Sequence, residues 1–183
     1  RAWLTDKNAI EPELVGTVLA IAARFGDRAL FDALVREAKT TRDRRDRDYA
    51  LGALGQFQEP ALVSASLALV LDPGLDARET VRLLWSATRL PETVPLAYAF
   101  LKDHFDALVA RLPRDTAAGF PNVGAAFCDD ARRSEIEAFF GPRAARYVGG
   151  PRLYAQALEN LHLCHTFRVA QEPKVTAFFT KKR

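Results

Sequence analysis

Methionine is absent from this sequence of 183 residues, and cysteine, histidine and tryptophan are scarce, with two, three and two copies. Each scarcity removes a class of protein. Without an initiator methionine, and with no basic segment leading into an apolar signal core, the chain is expected to be a fragment of a longer protein whose remainder carries the address and the chemistry. Two cysteines, Cys128 and Cys164, allow one bridge at most, so a disulfide-dense scaffold is excluded; two buried free thiols would be equally ordinary, and the redox compartment stays open. No apolar run approaches the roughly 20 residues that cross a bilayer, so no membrane partner is expected and a cytoplasmic location is the default. Runs of alternating apolar and β-branched residues are also missing, which argues against a sheet.

Charge of one sign is lacking as well. The 26 basic and 23 acidic residues are interleaved, and a net +3 so dispersed leaves no nucleic-acid footprint. The densest charged stretch, Arg42-Asp43-Arg44-Arg45-Asp46-Arg47-Asp48, alternates in sign and suits the solvated opening of a helix, since a phosphate-binding run would keep one sign.

What is present is a helical rhythm. Helix starts fall near positions 12, 27, 43, 60, 77 and 94, and Glu11-Pro12-Glu13-Leu14-Val15 is nearly repeated as Glu59-Pro60-Ala61-Leu62-Val63, with Glu172-Pro173 opening a third segment in the same way. Proline suits the first helical position because its missing N–H would be unpaired there, and acidic neighbours complement the positive end of the helix dipole. Leu14, Val15, Val18, Leu19 and Ala22 share one face of the helix from Pro12 to Phe25, and Gly26 tolerates a left-handed end. Asp27 can cap the next helix, with Leu30, Phe31, Leu34, Val35 and Ala38 inside. Tyr49 to Phe57, Pro60 to Leu71, Asp76 to Thr88 and Leu96 to Leu108 continue the pattern, broken by the turn Asp72-Pro73-Gly74 and by Pro91, Pro95 and Pro113. Beyond Pro113, Gly119, Pro121 and Gly124 interrupt a seventh helix; Ser134 to Phe140 reads as a short capped helix, Gly149-Gly150-Pro151 as a turn, Arg152 to Phe167 as a long helix and Glu172 to Phe179 as a last short one.

This pattern predicts an all-α fold of stacked antiparallel helix hairpins forming a HEAT-like α-α superhelix, with residues 1–183 as one helical-repeat domain. The tryptophan, glycine and tyrosine offsets of tetratricopeptide repeats are missing. Phe100, Phe105, Phe139, Phe140 and Phe178 are expected in the core, as is Trp85, and Lys181-Lys182-Arg183 is expected to be a frayed tail.

Candidate chemistry is sparse. His162-Leu163-Cys164-His165 places two imidazoles at i and i+3 with a thiol between them, which suggests zinc or copper, but a fourth ligand is not evident and Cys164 points off the histidine face. His104 stands apart. Cys128 as a nucleophile lacks a base nearby in sequence and is expected to be a buried thiol. Asp129, Asp130, Glu135 and Glu137 are explained by capping, and Gly149-Gly150-Pro151 lacks the Gly-Lys-Ser/Thr ending of a phosphate loop. No residue of this chain is therefore assigned a catalytic, cofactor-binding or metal-binding role.

Several packing signatures nonetheless form a pattern: Ala53-Leu54-Gly55-Gln56-Phe57, Pro60-Ala61-Leu62, Leu67-Ala68-Leu69-Val70-Leu71-Asp72, Ala97-Tyr98-Ala99-Phe100-Leu101, Asp103-His104-Phe105-Asp106-Ala107-Leu108, Ile136-Glu137-Ala138-Phe139-Phe140 and Ala155-Gln156-Ala157-Leu158-Glu159. With these the sequence resembles, from Tyr49 to Phe167, the C-terminal helical domain of M1-family zinc aminopeptidases. It departs where the family often has tryptophan, at Tyr98 and Phe105, and around Gly119 to Gly124. The family's catalytic signatures, His-Glu-x-x-His and Gly-x-Met-Glu-Asn, are missing. The resemblance implies a non-catalytic cap of a bacterial-type aminopeptidase, which removes N-terminal amino acids from peptides. In it the partners are the catalytic domain of the same polypeptide and peptide substrates, zinc is bound outside this chain, and the cap closes the active-site chamber. The alternative is a free-standing HEAT-like interaction scaffold.

Overall fold

In the computed structural model, which describes residues 1–180, helices carry the fold and no strand occurs among the described residues. Two compact units follow one another, Arg1–Leu112 and a second beginning at Pro113. The frayed tail expected at Lys181-Lys182-Arg183 lies outside the described residues.

The first unit contains α1 (Ala2–Thr5), α2 (Pro12–Arg24), α3 (Arg28–Thr40), α4 (Arg44–Leu54), α5 (Pro60–Ala68, prolonged by a 3-10 turn, Leu69–Leu71), α6 (Ala77–Thr80), α7 (Arg82–Ser86), α8 (Val94–Asp103) and α9 (Phe105–Arg111). Their starts follow local chemistry. Pro12 and Pro60 occupy first turns, the Asp27 carboxylate accepts from the Leu30 N–H, and Asp43 accepts from Arg45 and Asp46. The charged run therefore does open a helix: Asp43 caps it, Asp48 pairs with Arg82, and Arg47 donates to the Thr41 carbonyl. Helix α4 packs on both α2 and α3, and α5 on α7 and α8.

Several details differ from the pattern. The helix expected from Asp76 to Thr88 breaks at Val81, because the buried Thr80 hydroxyl donates back to the Asp76 and Ala77 carbonyls and competes with the helical ladder. The helix expected from Leu96 to Leu108 breaks at His104, where Asp103 and His104 are both weak helix formers. Gly26 is not left-handed; it is needed for room, since a Cβ there would lie 2.8 Å from the Ala22 carbonyl and 3.1 Å from the Phe57 ring. In α2 the buried face is Val15, Leu19 and Ala23, which leaves Leu14, Val18 and Ile21 exposed. Trp3, in a helix the periodicity did not reveal, is 1% exposed beneath the Lys7 ammonium, 3.6 Å from its ring.

The second unit contains a 3-10 turn (Thr116–Gly119), α10 (Pro121–Ala125), a second 3-10 turn (Asp130–Arg132), α11 (Arg133–Ala144) and α12 (Gly150–Thr180). Helix α12 packs on α10, α11 and both 3-10 turns, with Ala157, Leu158 and Leu161 buried among Phe120, Val123, Ile136 and Phe140. It corrects two expectations. Rather than a long helix and a separate short one, α12 runs unbroken through Pro173, because Arg168 to Glu172 contains no glycine or turn residue and consists largely of good helix formers. Ser134 does not cap α11, which starts at Arg133 and continues through Gly141 and Pro142. Of the expected phenylalanine core, Phe105 and Phe140 are buried, Phe100 and Phe139 are half-buried, and Phe178 is exposed on a stretch of α12 that extends past its packing partners. Trp85 is half-buried too.

Candidate functional site

The strongest chemical cluster in the sequence, His162 to His165, is positioned by α12 against the loop between α10 and α11. Cys128 in that loop and Cys164 on the helix form a disulfide, with Cα atoms 5.1 Å apart. This corrects the expectation that Cys128 is a buried free thiol. Cys128 also has a left-handed backbone, φ 52°, so the loop bends sharply where the bridge anchors it. The residue two before Cys164 and the one directly after it supply two further contacts. His162 Nδ1 stands 2.8 Å from Asp130 Oδ2, and His165 Nδ1 lies 3.9 Å from Asp129 Oδ1.

Together these contacts form a staple. The thiolate that a zinc or copper site would need is consumed in the bridge, and the histidines face carboxylates one by one. Among the described residues no group of three or more histidine, cysteine, aspartate or glutamate side chains is arranged to hold a metal ion. Asp129 spends its side chain on the Ala131 N–H, 3.0 Å away, starting the 3-10 turn. Glu135 and Glu137 pair with Arg132 and Arg133 along α11, so they do not form a catalytic carboxylate pair. Gly149 is left-handed, φ 72°, and a Cβ on Gly150 would lie 2.0 Å from the Ala144 carbonyl, so Gly149-Gly150-Pro151 is a tight turn into α12. His104 sits between α8 and α9 with its ring 4.8 Å from that of Phe100.

The first unit contains a feature that the sequence did not reveal, a cavity of about 190 Å³ beneath the C-terminus of α2 and the loops that follow α4 and α7. Arg24 and Arg89 line it together with Leu54, Val63, Leu83 and Leu90. These residues come from separate hairpins and share no motif, so only the packing brings them together.

Two apolar surfaces are also on display. Leu14, Val18, Ile21 and Phe25 run along α2, with Phe25 81% exposed, and Leu163, Phe167, Val169, Val175, Phe178 and Phe179 are exposed on the distal half of α12. Exposed apolar surface on this scale marks contact with another surface more often than chance does.

Residues 1–163 match the family described as ERAP1-like C-terminal domain. The chain belongs to that family. Membership reaches back to residue 1, ahead of the Tyr49 at which the packing signatures begin. This ERAP1-like C-terminal domain is also similar to Aminopeptidase 2 of Candida albicans (strain SC5314 / ATCC MYA-2876), 22% identical over 158 residues. The alignment covers 84% of the domain but only 17% of the Candida protein, so the chain spans less than a fifth of that relative's length.

Proposed function

We propose that this chain is a non-catalytic C-terminal domain of an M1-family zinc aminopeptidase, closing the active-site chamber and controlling which peptides enter. The observation that carries this reading is the family match over residues 1–163, joined to the likeness to an aminopeptidase of which the chain would form a small part. In this reading residues 1–183 act as one domain, its hairpins stacked in a HEAT-like superhelix. The partners are the catalytic domain of the same polypeptide and the peptides it admits.

The chemistry of the chain supports a structural role. Its two cysteines are spent on each other, and its histidines at positions 162 and 165 face aspartates, an arrangement in keeping with zinc held by residues outside this chain. The apolar stripes on α2 and α12 are suited to contact with neighbouring parts of such a polypeptide. The bridge bears on location: disulfides persist where thiols are not kept reduced, which supports an oxidising compartment over the cytoplasm.

The test is the size and activity of the native polypeptide. A native species several times larger than 20.3 kDa, releasing N-terminal residues in a zinc-dependent manner while the 183-residue chain alone is inert, is the expected result. A native species of 20.3 kDa would instead favour a free-standing interaction scaffold, and hydrolysis by the isolated chain would overturn the non-catalytic assignment.

A further inference from the structure

We infer that the distal half of α12 is a docking surface for an anionic lipid bilayer, on which the helix lies without crossing it. Leu161 is the last buried residue of α12, and from Thr166 to Thr180 the helix runs for roughly four turns past its packing partners. These residues follow the stretch that matches the family, which covers 1–163.

Charge sets this end of the chain apart. Residues 164–183 carry five basic side chains, Arg168, Lys174, Lys181, Lys182 and Arg183, against a single acidic one, Glu172. The residues before them carry 21 basic and 22 acidic side chains, so the positive excess of the whole chain resides here.

The side chains are also sorted around the helix. At 3.6 residues per turn, Leu163, Phe167, Phe178, Val175 and Phe179 fall within an arc of about 160°. All five are more than half exposed. Lys174 and Arg168 stand near the two borders of that arc, while His165, Thr166, Glu172, Thr176 and Thr180 occupy the opposite side, where Val169 is the one large apolar residue.

A neighbouring protein part and a lipid surface both accept apolar side chains, so width and charge decide between them. A partner helix takes a narrow seam, whereas this arc is wide and Phe-rich and has a cation near each border. That is the pattern of an interfacial helix: the rings enter the acyl boundary, and the long basic side chains lay their stems along the apolar surface and hold their charges at the level of the headgroups. No described helix is long and apolar enough to cross a membrane, which bears on spanning and not on lying at the surface. Anionic headgroups complement the local positive charge. The inference goes beyond the aminopeptidase reading and does not rest on it, since binding to lipid is measured apart from peptide hydrolysis.

The test is flotation of the native-length polypeptide with vesicles of equimolar phosphatidylcholine and phosphatidylglycerol, and with vesicles of phosphatidylcholine alone. Partition onto the mixed vesicles is expected, weaker on phosphatidylcholine alone and weakened by added salt. Phe167→Ser and Phe178→Ser should each reduce it about tenfold, the loss of one buried ring, and Lys174→Gln about fivefold. Val148→Ser, which alters an exposed apolar residue between α11 and α12, should leave it unchanged. Absence of partition onto the mixed vesicles, equal partition onto both kinds, or indifference to both phenylalanine substitutions would overturn the assignment. So would self-association of the polypeptide that Phe167→Ser abolishes, because it would give this surface to a second copy. Should a variant fail to fold, the comparison of the two vesicle compositions with the unaltered polypeptide still decides.

Discussion

Cys128 is bonded to Cys164, 36 residues further along the chain, and the bond holds the sharply bent loop after α10 against the middle of α12. Because the link closes a loop of that length, chain-entropy reasoning assigns it between about 3 and 4.7 kcal/mol, acting mainly by restricting the unfolded chain. The paired substitution Cys128→Ser with Cys164→Ser should lower unfolding stability by up to that amount in urea titration. Intact mass after alkylation of the denatured, unreduced protein should show no adduct on either cysteine. Two adducts, with no stability change in the double variant, would remove the bridge and reopen the cytoplasmic location.

The helix caps should make stability depend on acid. Backbone N–H groups hold two carboxyls below the usual range: that of Leu30, with Arg1, acts on Asp27, and those of Asp46 and Arg45 act on Asp43. The Arg78 guanidinium and N–H bring Asp76 down to about 2. A carboxylate depressed in the folded state stabilises above its ordinary value of 3.8 and loses that contribution as pH falls toward about 2. Thermal midpoints of Asp43→Ala and Asp76→Ala should therefore lie below the unaltered protein at pH 7 and converge with it at acid pH. A gap that stays constant across this range would show that these carboxylates stabilise nothing through their charge.

Much of this architecture was legible because its signals are local. Asp27, Asp43, Pro12 and Pro60 act within one turn of themselves, so the starts of α2 to α5 follow from neighbouring residues alone. Side choice is not local. Leu14, Val15, Val18, Leu19 and Ile21 cover more than one face of α2, and only the presence of α4 against Val15 and Leu19 determines which of them are buried. Whether two cysteines pair depends on a distance that sequence spacing does not contain. The same holds for Arg24 and Arg89, which are unremarkable surface residues until the loops after α4 and α7 place them around one hollow.

Core truncation should separate the rings that support the fold from those that border it. Phe120 is fully buried in the second unit, so Phe120→Ala should cost about 3 to 5 kcal/mol through lost transfer energy and the cavity left behind. Trp85→Ala should cost less, because the indole is half-buried on an open groove beside Arg82 and Arg89. Equal losses in chemical denaturation would mean that Trp85 belongs to the core.

The hydroxyl of Thr93 ties the start of α8 to the end of α7, donating 2.7 Å to the Ala87 carbonyl in a site only 3% exposed. Thr93→Val keeps the shape and removes the donor, leaving a buried carbonyl short of a partner at a cost of about 1 to 3 kcal/mol. An unchanged midpoint in chemical denaturation would show that the Ala87 carbonyl finds another partner.

The stripe on α2 yields the sharpest contrast between the chain and its parent polypeptide. Ile21 is 56% exposed and makes no part of the core, so Ile21→Glu should change the stability of the 183-residue chain by no more than about 0.5 kcal/mol. If the stripe of Leu14, Val18, Ile21 and Phe25 is covered in the parent, the same substitution buries an unpaired carboxylate there and should lower the parent's thermal midpoint and its peptide-hydrolysing activity together. Differential scanning calorimetry of both proteins checks the comparison. A parent polypeptide as tolerant of Ile21→Glu as the chain would leave the stripe facing solvent and place any covered surface elsewhere, with the exposed side chains of distal α12 as the next to substitute.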